Sequence, residues 1–189
     1  MRSSRLFSPI TLGGIELSNR IAVAPMCQYS ADDGSATDWH LMHLGQFAVS
    51  GVGLVMVEAT GVSPEGRISP GCLGLWSDAN QDALTRVVGF CKDYGNTTMG
   101  IQLAHAGRKA STDLPWYGAA PIPASDPRGW QTVAPSAAPY SDAFDTPTAL
   151  DEAGMAKIVY DFVAAARRAE EIGFDVVEVH MAHGYVLHQ

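Results

Sequence analysis

Runs of apolar residues typical of buried strands alternate along this chain with segments whose apolar residues recur every three or four positions, as on one face of a helix. The predicted strands cover residues 20–24, 53–57, 99–104 and 174–179. The predicted helices cover residues 38–50, residues 78–94 and a third segment that ends at Gly173. Because strands and helices alternate, we expect a parallel sheet with helices on its outer face, either an open doubly wound sheet or a (β/α)8 barrel.

Two local patterns refine this prediction. Residues 10–17 alternate around Gly13 and Gly14, which predicts a short hairpin that closes one end of the fold. The segment from Thr148 to Asp151 has the form of a capping box and is predicted to open the third helix. The apolar positions expected to be buried on that helix are Met155, Ile158, Val159, Phe162, Ala166 and Ala169.

A barrel is favoured over an open sheet because no strand is followed by GxGxxG or GxxxxGK[S/T], the nucleotide-binding signatures of open-sheet folds. A complete barrel typically needs ~250 residues, so four strand and helix units amount to about half of one. The chain ends at Gln189, just past the fourth strand. We therefore expect residues 1–189 to form the N-terminal half of a single TIM-barrel domain, truncated after strand four.

Composition and charge narrow the class of protein. With 47% hydrophobic and 17% charged residues, the chain has the composition of a soluble globular protein. A net charge of −8, with no basic cluster longer than a pair, argues against nucleic acid as a partner. No apolar stretch approaches the ~18 residues of a membrane span, and the N-terminus lacks an apolar leader, so we expect a cytoplasmic protein without membrane association. An odd number of cysteines without CxxC spacing argues against a disulfide framework or a structural zinc site.

Polar groups follow each predicted strand, at the barrel end where catalytic residues of such folds lie. Strand one leads into PMCQYS (25–30) and strand two into EAT (58–60). Strand three contains Gln102 and leads into HAGRK (105–109), and strand four leads into HMAHGY (180–185). These segments would bring a thiol, two phenols, an amide and two imidazoles to one mouth of the barrel.

The motifs PMCQYS, VEAT, IQLAHAGRKAS and HMAHGY, in this order and at these separations, resemble the old yellow enzyme family, and within it the bacterial xenobiotic-reductase subgroup. The resemblance covers essentially the whole chain, including RISPGCLGLWSD (67–78) and GWQTVAPSA (129–137). It implies an enzyme that binds FMN, takes hydride from NADPH or NADH, and reduces activated C=C bonds of small α,β-unsaturated carbonyl or nitro compounds. It also implies a homo-oligomer at full length.

The resemblance further implies roles for individual residues. Those matching the flavin-contacting positions are Ala24, Pro25, Met26, Cys27, Ala59 and Gln102. The Gln102 amide would pair with the pyrimidine edge of the flavin ring, and Cys27 would modulate redox behaviour rather than act as a nucleophile. His180 and His183 match the pair that hydrogen-bonds the substrate carbonyl, while Tyr185 matches the proton donor. Tyr29 and Lys109 are the further substrate-contacting candidates.

Other interpretations of these residues stay open. An HxxH pair can be structural or bind a metal, although no third ligand lies at a suitable spacing here, and we expect no metal. Gln102 could be a satisfied core amide, and His40 and His43 are interpreted as packing or surface groups. Trp116 and Trp130 either wall the site or anchor the long loop between residues 111 and 147.

Two alternative functions also stay open. The first is a related flavin barrel of dienoyl-CoA reductase type, which we would expect to carry an iron–sulfur cysteine cluster further along the chain. The second is a half-barrel without catalytic activity, because a barrel truncated after strand four is expected to be inactive by itself.

Overall fold

A computed structural model describes residues 4–189 of the chain, and residues 1–3 at the start of the N-terminal segment lie outside it. The strands are β1 (Ile10–Leu12), β2 (Ile15–Leu17), β3 (Ala22–Val23), β4 (Leu54–Gly61), β5 (Thr98–Ala104), β6 (Val133–Ala134), β7 (Thr148–Ala149) and β8 (Val176–Val179). The α-helices are α1 (Asp38–Ala48), α2 (Asp78–Tyr94) and α3 (Glu152–Ile172). Within residues 4–189, no helix is long and apolar enough to cross a membrane.

The central sheet has the strand order β3-β4-β5-β8, and every neighbouring pair is parallel. All three helices pack on the same face of this sheet, in one core cluster that contains Leu44 of α1, Val87 of α2 and Ala165 of α3. A doubly wound sheet carries helices on both faces, whereas a barrel carries them only outside. The sequential order and the one-sided helices therefore fit a segment of a (β/α)8 barrel, as predicted.

The hairpin β1–β2 covers the opposite face of the sheet. Its strands are antiparallel around Gly13, whose φ of 59° is readily adopted by glycine. Leu17 packs in a small second cluster with Leu54 and Met56, which lie in the amino-terminal half of β4. The predicted hairpin thus closes the amino-terminal end of what would be the barrel interior.

Strand β4 is longer than predicted, because it continues through residues 58–61 instead of ending at Val57. Its register with β5 shifts between Val57 and Ala59, so Glu58 is an extra residue in β4 and Ala59 lies opposite Gln102. Such a bulge re-aims the side chains that follow it. It places Ala59, a predicted flavin-contacting residue, opposite Gln102 on the neighbouring strand.

The amino-terminal cap of α3 differs from the prediction. Thr148 belongs to β7, where its backbone N–H donates to Thr132 O at 2.9 Å. The cap is Asp151, whose Oδ1 accepts a hydrogen bond from the backbone N–H of Gly154 at 2.7 Å. The predicted end at Gly173 is confirmed, since Gly173 adopts φ 96° at the carboxyl end of the helix.

This difference leads to a stability prediction. We expect Asp151→Ala to lower the free energy of unfolding by about 1 kcal/mol, the usual cost of removing a side-chain helix cap. Thr148→Ala should cost clearly less, because the strand pairing of Thr148 uses its backbone. Urea unfolding of the two variants measures both changes, and a larger loss at Thr148 would contradict the assignment of the cap.

The buried face of α3 is also rotated from the predicted one. Ile158 and Ala169 are buried as expected, whereas Met155 is 50% exposed and Val159 is 63% exposed. The buried stripe continues instead through Ala165 to Ile172, toward the sheet. The periodicity was sufficient to predict the helix, but it also contains a second apolar stripe that residues 4–189 leave uncovered.

Candidate active site

Two imidazoles follow β8 directly and lie against each other. The backbone N–H of His180 donates to Leu103 O at 2.9 Å, which continues the pairing with β5. His183 then turns back at φ 59°, followed by Gly184 at φ 71°. This pair of left-handed residues brings Nδ1 of His183 to 3.2 Å from Nε2 of His180.

The hydrogen bonds define the tautomers of this pair. Nδ1 of His180 accepts from the backbone N–H of Ala182 at 3.2 Å, so a neutral His180 carries its proton on Nε2 and donates to Nδ1 of His183. His183 therefore carries its own proton on Nε2, away from His180. Burial and the neighbouring His183 lower the pKa of His180 below its usual value. His180 is therefore a neutral N–H donor at neutral pH, and in this arrangement a substrate oxygen can accept from Nε2 of His183.

Tyr185 lies beside the two imidazoles. Its ring centroid is 4.8 Å from that of His180. Burial, followed by the influence of Cys27 and Cys72, raises the pKa of Tyr185 to about 12. The phenol is therefore protonated at neutral pH and can donate a proton.

Lys109 connects the loop after β5 to this cluster. Its Nζ donates to the carbonyl oxygen of His183 at 2.8 Å, and it lies 4.5 Å from the ring centroid of Tyr140 and 5.9 Å from that of Tyr185. These contacts fix the turn that carries His183. A direct contact between Lys109 and a substrate stays a prediction.

Cys27 and Tyr29 lie on the loop after β3. Burial first, and the charge of Glu58 second, raise the pKa of Cys27 to about 11, which a hydrogen bond with the Ala59 backbone partly offsets. The thiol is therefore protonated at neutral pH and is a poor nucleophile. Burial likewise raises the pKa of Tyr29 well above its usual value.

The two tryptophans of the long loop have different roles. Trp116 packs edge-on against Tyr29, with ring centroids 5.8 Å apart, and is 60% exposed. A role of Trp116 in the wall of the site stays a prediction. Trp130 donates from Nε1 to Glu65 O at 3.0 Å and stacks under Arg67, whose guanidinium carbon is 5.0 Å from the ring centroid. Trp130 anchors the loop.

In the side-chain amide of Gln102, Nε2 has a hydrogen-bond partner in the described residues and Oε1 does not. Its Nε2 donates to the carboxylate of Glu178 across the β5–β8 pairing. No group within residues 4–189 donates to Oε1 of Gln102, although the residue is only 8% exposed. Sequence reasoning missed Glu178, yet the period of two along β8 places it on the same side as His180, opposite Val177 and Val179.

A groove of about 450 Å³ runs along the same face of the sheet. Its walls are mainly apolar and include Ala24, Pro25 and Met56, with Glu178 at the far side. Met26 lies just beyond, 43% exposed. Gln102 is not among the residues that line this groove, but its unpaired Oε1 can accept from an N–H at the edge of a flat heteroaromatic ring, such as the flavin ring of FMN.

Metal binding has no comparable support in the described residues. Among residues 4–189, no group of three or more His, Cys, Asp or Glu side chains is placed to hold a metal ion. His180 and His183 instead use their facing nitrogens to bond each other.

Comparison with known proteins places this arrangement among flavoenzymes. The sequence profile of the NADH:flavin oxidoreductase / NADH oxidase family matches residues 5–189. An NADH:flavin oxidoreductase of Gibberella zeae is 47% identical over 99% of this chain and 46% of its own length. An NADPH dehydrogenase of Geobacillus thermodenitrificans is 44% identical over 97% of this chain and 50% of its own.

Solved structures agree with the sequence matches. Morphinone reductase in complex with tetrahydroNAD superimposes with a TM-score of 0.83 at 31% identity, and the match covers 97% of this chain and 51% of the morphinone reductase chain. Old Yellow Enzyme from Pichia sp. superimposes with a TM-score of 0.82 at 29% identity, covering 98% and 48%. The chain therefore spans about half the length of the proteins it matches, and its sheet corresponds to about half of their TIM barrel.

Proposed function

The chain belongs to the NADH:flavin oxidoreductase / NADH oxidase family, and on that premise we propose that it supplies the substrate-polarising side of an FMN-dependent ene-reductase site. The observation that carries the proposal is the cluster after β8, in which two hydrogen-bonded imidazoles lie beside a protonated phenol. FMN, when bound, supplies hydride taken from NADPH or NADH. The protein supplies the hydrogen bonds and the proton.

His183 and His180 bind the carbonyl or nitro oxygen of the substrate. His183 donates from Nε2, and His180 donates from its own Nε2 once the oxygen displaces Nδ1 of His183. Negative charge grows on this oxygen as hydride reaches the β-carbon, so these hydrogen bonds strengthen in the transition state. Lys109 holds the His183 carbonyl and thereby the geometry of the turn.

Tyr185 donates the proton that completes the reduction at the α-carbon. A phenol with a pKa of about 12 keeps its proton until a basic carbon forms beside it, which is what a general acid for a carbanion requires. Tyr29, against which Trp116 packs, would contact the substrate at the rim of the site.

The remaining residues would hold FMN. Gln102, oriented by Glu178, would present Oε1 to a ring N–H, while Ala24, Pro25, Met26, Cys27 and Ala59 would lie along the ring. Activated alkenes are the proposed substrate class. A cytoplasmic location and a homo-oligomeric full-length protein are part of the same proposal.

A phenolic ligand tests this site in the full-length flavoprotein. We expect 4-hydroxybenzaldehyde to bind with its phenolate on the two imidazoles and to give a long-wavelength charge-transfer band with oxidised flavin. Replacing both His180 and His183 by Ala should weaken binding by at least about 10- to 150-fold, the effect of losing one of the two hydrogen bonds, since each hydrogen bond to a charged group contributes ~1.5–3 kcal/mol. Absorbance titration measures both effects.

The control variant is His43→Ala, which removes an imidazole on α1 that packs against Phe47. It should leave the affinity and the charge-transfer band unchanged. Undiminished affinity of the double variant for the phenolic ligand would reject the polarising role of the imidazoles. A wild-type full-length protein that retains no flavin would reject the proposed function.

A further inference from the structure

The bulge in β4 directs Glu58 away from the solvent and toward α1. Its side chain is 2% exposed, and that of His40 on α1 is 1% exposed. Carboxylates are seldom buried so fully unless they are paired. The groups that Glu58 contacts are therefore the guide to its role.

Each carboxylate oxygen of Glu58 has a different neighbour. Oε2 accepts a hydrogen bond at 3.0 Å from the backbone N–H of Gln28, the residue that follows Cys27. Oε1 lies 3.3 Å from Nε2 of His40. Glu58 thus joins the loop after β3 to the first turn of α1.

The orientation of His40 is fixed from its other side. Nδ1 of His40 accepts from the backbone N–H of Thr37 at 3.0 Å, so His40 occupies the third position of a helix capping box and carries its proton on Nε2, facing Glu58. Thr37 also donates from Oγ1 to Ser30 O at 2.9 Å. Glu58 of β4 therefore holds the loop 27–30 at Gln28, and Thr37 at the start of α1 holds it at Ser30.

We propose that Glu58 and His40 form a buried positioning pair that fixes the loop carrying Cys27 and, through the carboxylate charge, suppresses the reactivity of its thiol. Backbone contacts alone could hold the loop without burying a charge. The buried carboxylate of Glu58 therefore points to a second role, which is electrostatic. Burial is the largest cause of the raised pKa values of Cys27 and Tyr29. The carboxylate, bonded to the backbone N–H of the residue after Cys27, adds a negative charge that is the second cause at Cys27 and the smallest at Tyr29. Cys72, Tyr29 and Tyr185 are the other titratable groups around the thiol, and all three are neutral when protonated.

Alkylation of Cys27 by iodoacetamide as a function of pH separates charge from scaffolding in the full-length protein. Glu58→Gln removes the charge at nearly constant shape, so alkylation at a fixed pH below the midpoint should rise by about tenfold, equivalent to a displacement of the titration by ~1 pH unit. His40→Gln keeps the charge, and Gln is itself a preferred residue at this capping-box position. It should therefore retain wild-type reactivity.

Cys27→Ala shows which thiol is labelled, because Cys72 and Cys91 are each 1% exposed and should contribute little. A tenfold rise in both Glu58→Gln and His40→Gln would mean that the pair only holds the loop, and it would overturn the proposed effect of charge. If Glu58→Gln does not fold, the wild-type profile still tests the proposal, because a midpoint near the ordinary value of ~8.5 instead of about 11 would contradict it. Alkylation requires no turnover, so this result is independent of the ene-reductase assignment.

Discussion

Tyr185→Phe in the full-length flavoprotein is expected to leave reduction of the flavin by NADPH unchanged and to slow its reoxidation by an enone about 10²- to 10⁴-fold, the usual contribution of a general acid. Phenylalanine keeps the ring that packs 4.8 Å from His180 and removes only the proton that Tyr185 can donate. Stopped-flow measurement of the two half-reactions separates these steps. The substrate hydrogen bonds from the imidazoles stay in place, so the affinity for a phenolic ligand should change little.

Tyr140→Phe is the matched control, because Tyr140 also lies against Lys109 but is 50% exposed on the long loop. Its enone reaction should proceed at the wild-type rate. If Tyr185→Phe also reacts at that rate, water rather than Tyr185 delivers the proton.

The helices and strands could be predicted because periodicity and end signals depend only on neighbouring residues. Helix α2 begins at Asp78 and ends at Tyr94, as its periodicity indicates, since Ser77 caps it and Gly95 ends it. The cap of α3 was assigned wrongly because two candidate cap residues, Thr148 and Asp151, stand three positions apart. Pairing of Thr148 with Thr132, a contact between distant segments, decides between them.

The candidate site was predictable at the level of motifs but not of contacts. HMAHGY indicates which residues follow β8, whereas the hydrogen bond between the two imidazoles depends on positive φ at His183 and Gly184. Glu58 was placed in a loop because no sequence signal marks a bulge. His40 was interpreted as a packing or surface group, because its partner Glu58 lies 18 positions away and on another element.

Two surfaces of the described chain expose apolar side chains on which no other described element packs. On α3, Met155, Val159 and Val163 form a stripe that is 45–63% exposed. On β8, Val177 and Val179 are 40% and 45% exposed, and within residues 4–189 the outer edges of β3 and β8 pair with no further strand. Such faces and edges associate with other chains unless further barrel units cover them.

We therefore expect the polypeptide of residues 1–189, produced alone, to be oligomeric or aggregated, to lose FMN on desalting, and to reduce no enone. Barrels of this type commonly hold a phosphate at the loops after strands seven and eight, so the four strands here would contact only the flavin ring. Light scattering, absorbance after desalting and NADPH oxidation with an enone measure the three properties. Replacing Met155, Val159 and Val163 by Glu should reduce association without restoring FMN binding, whereas replacing the already exposed Glu152 by Gln should do neither. A monomeric, yellow and active polypeptide would show that these four strands are sufficient. Activity regained only on co-expression with the remaining barrel strands would show that FMN binding and turnover require the strands that hold the phosphate.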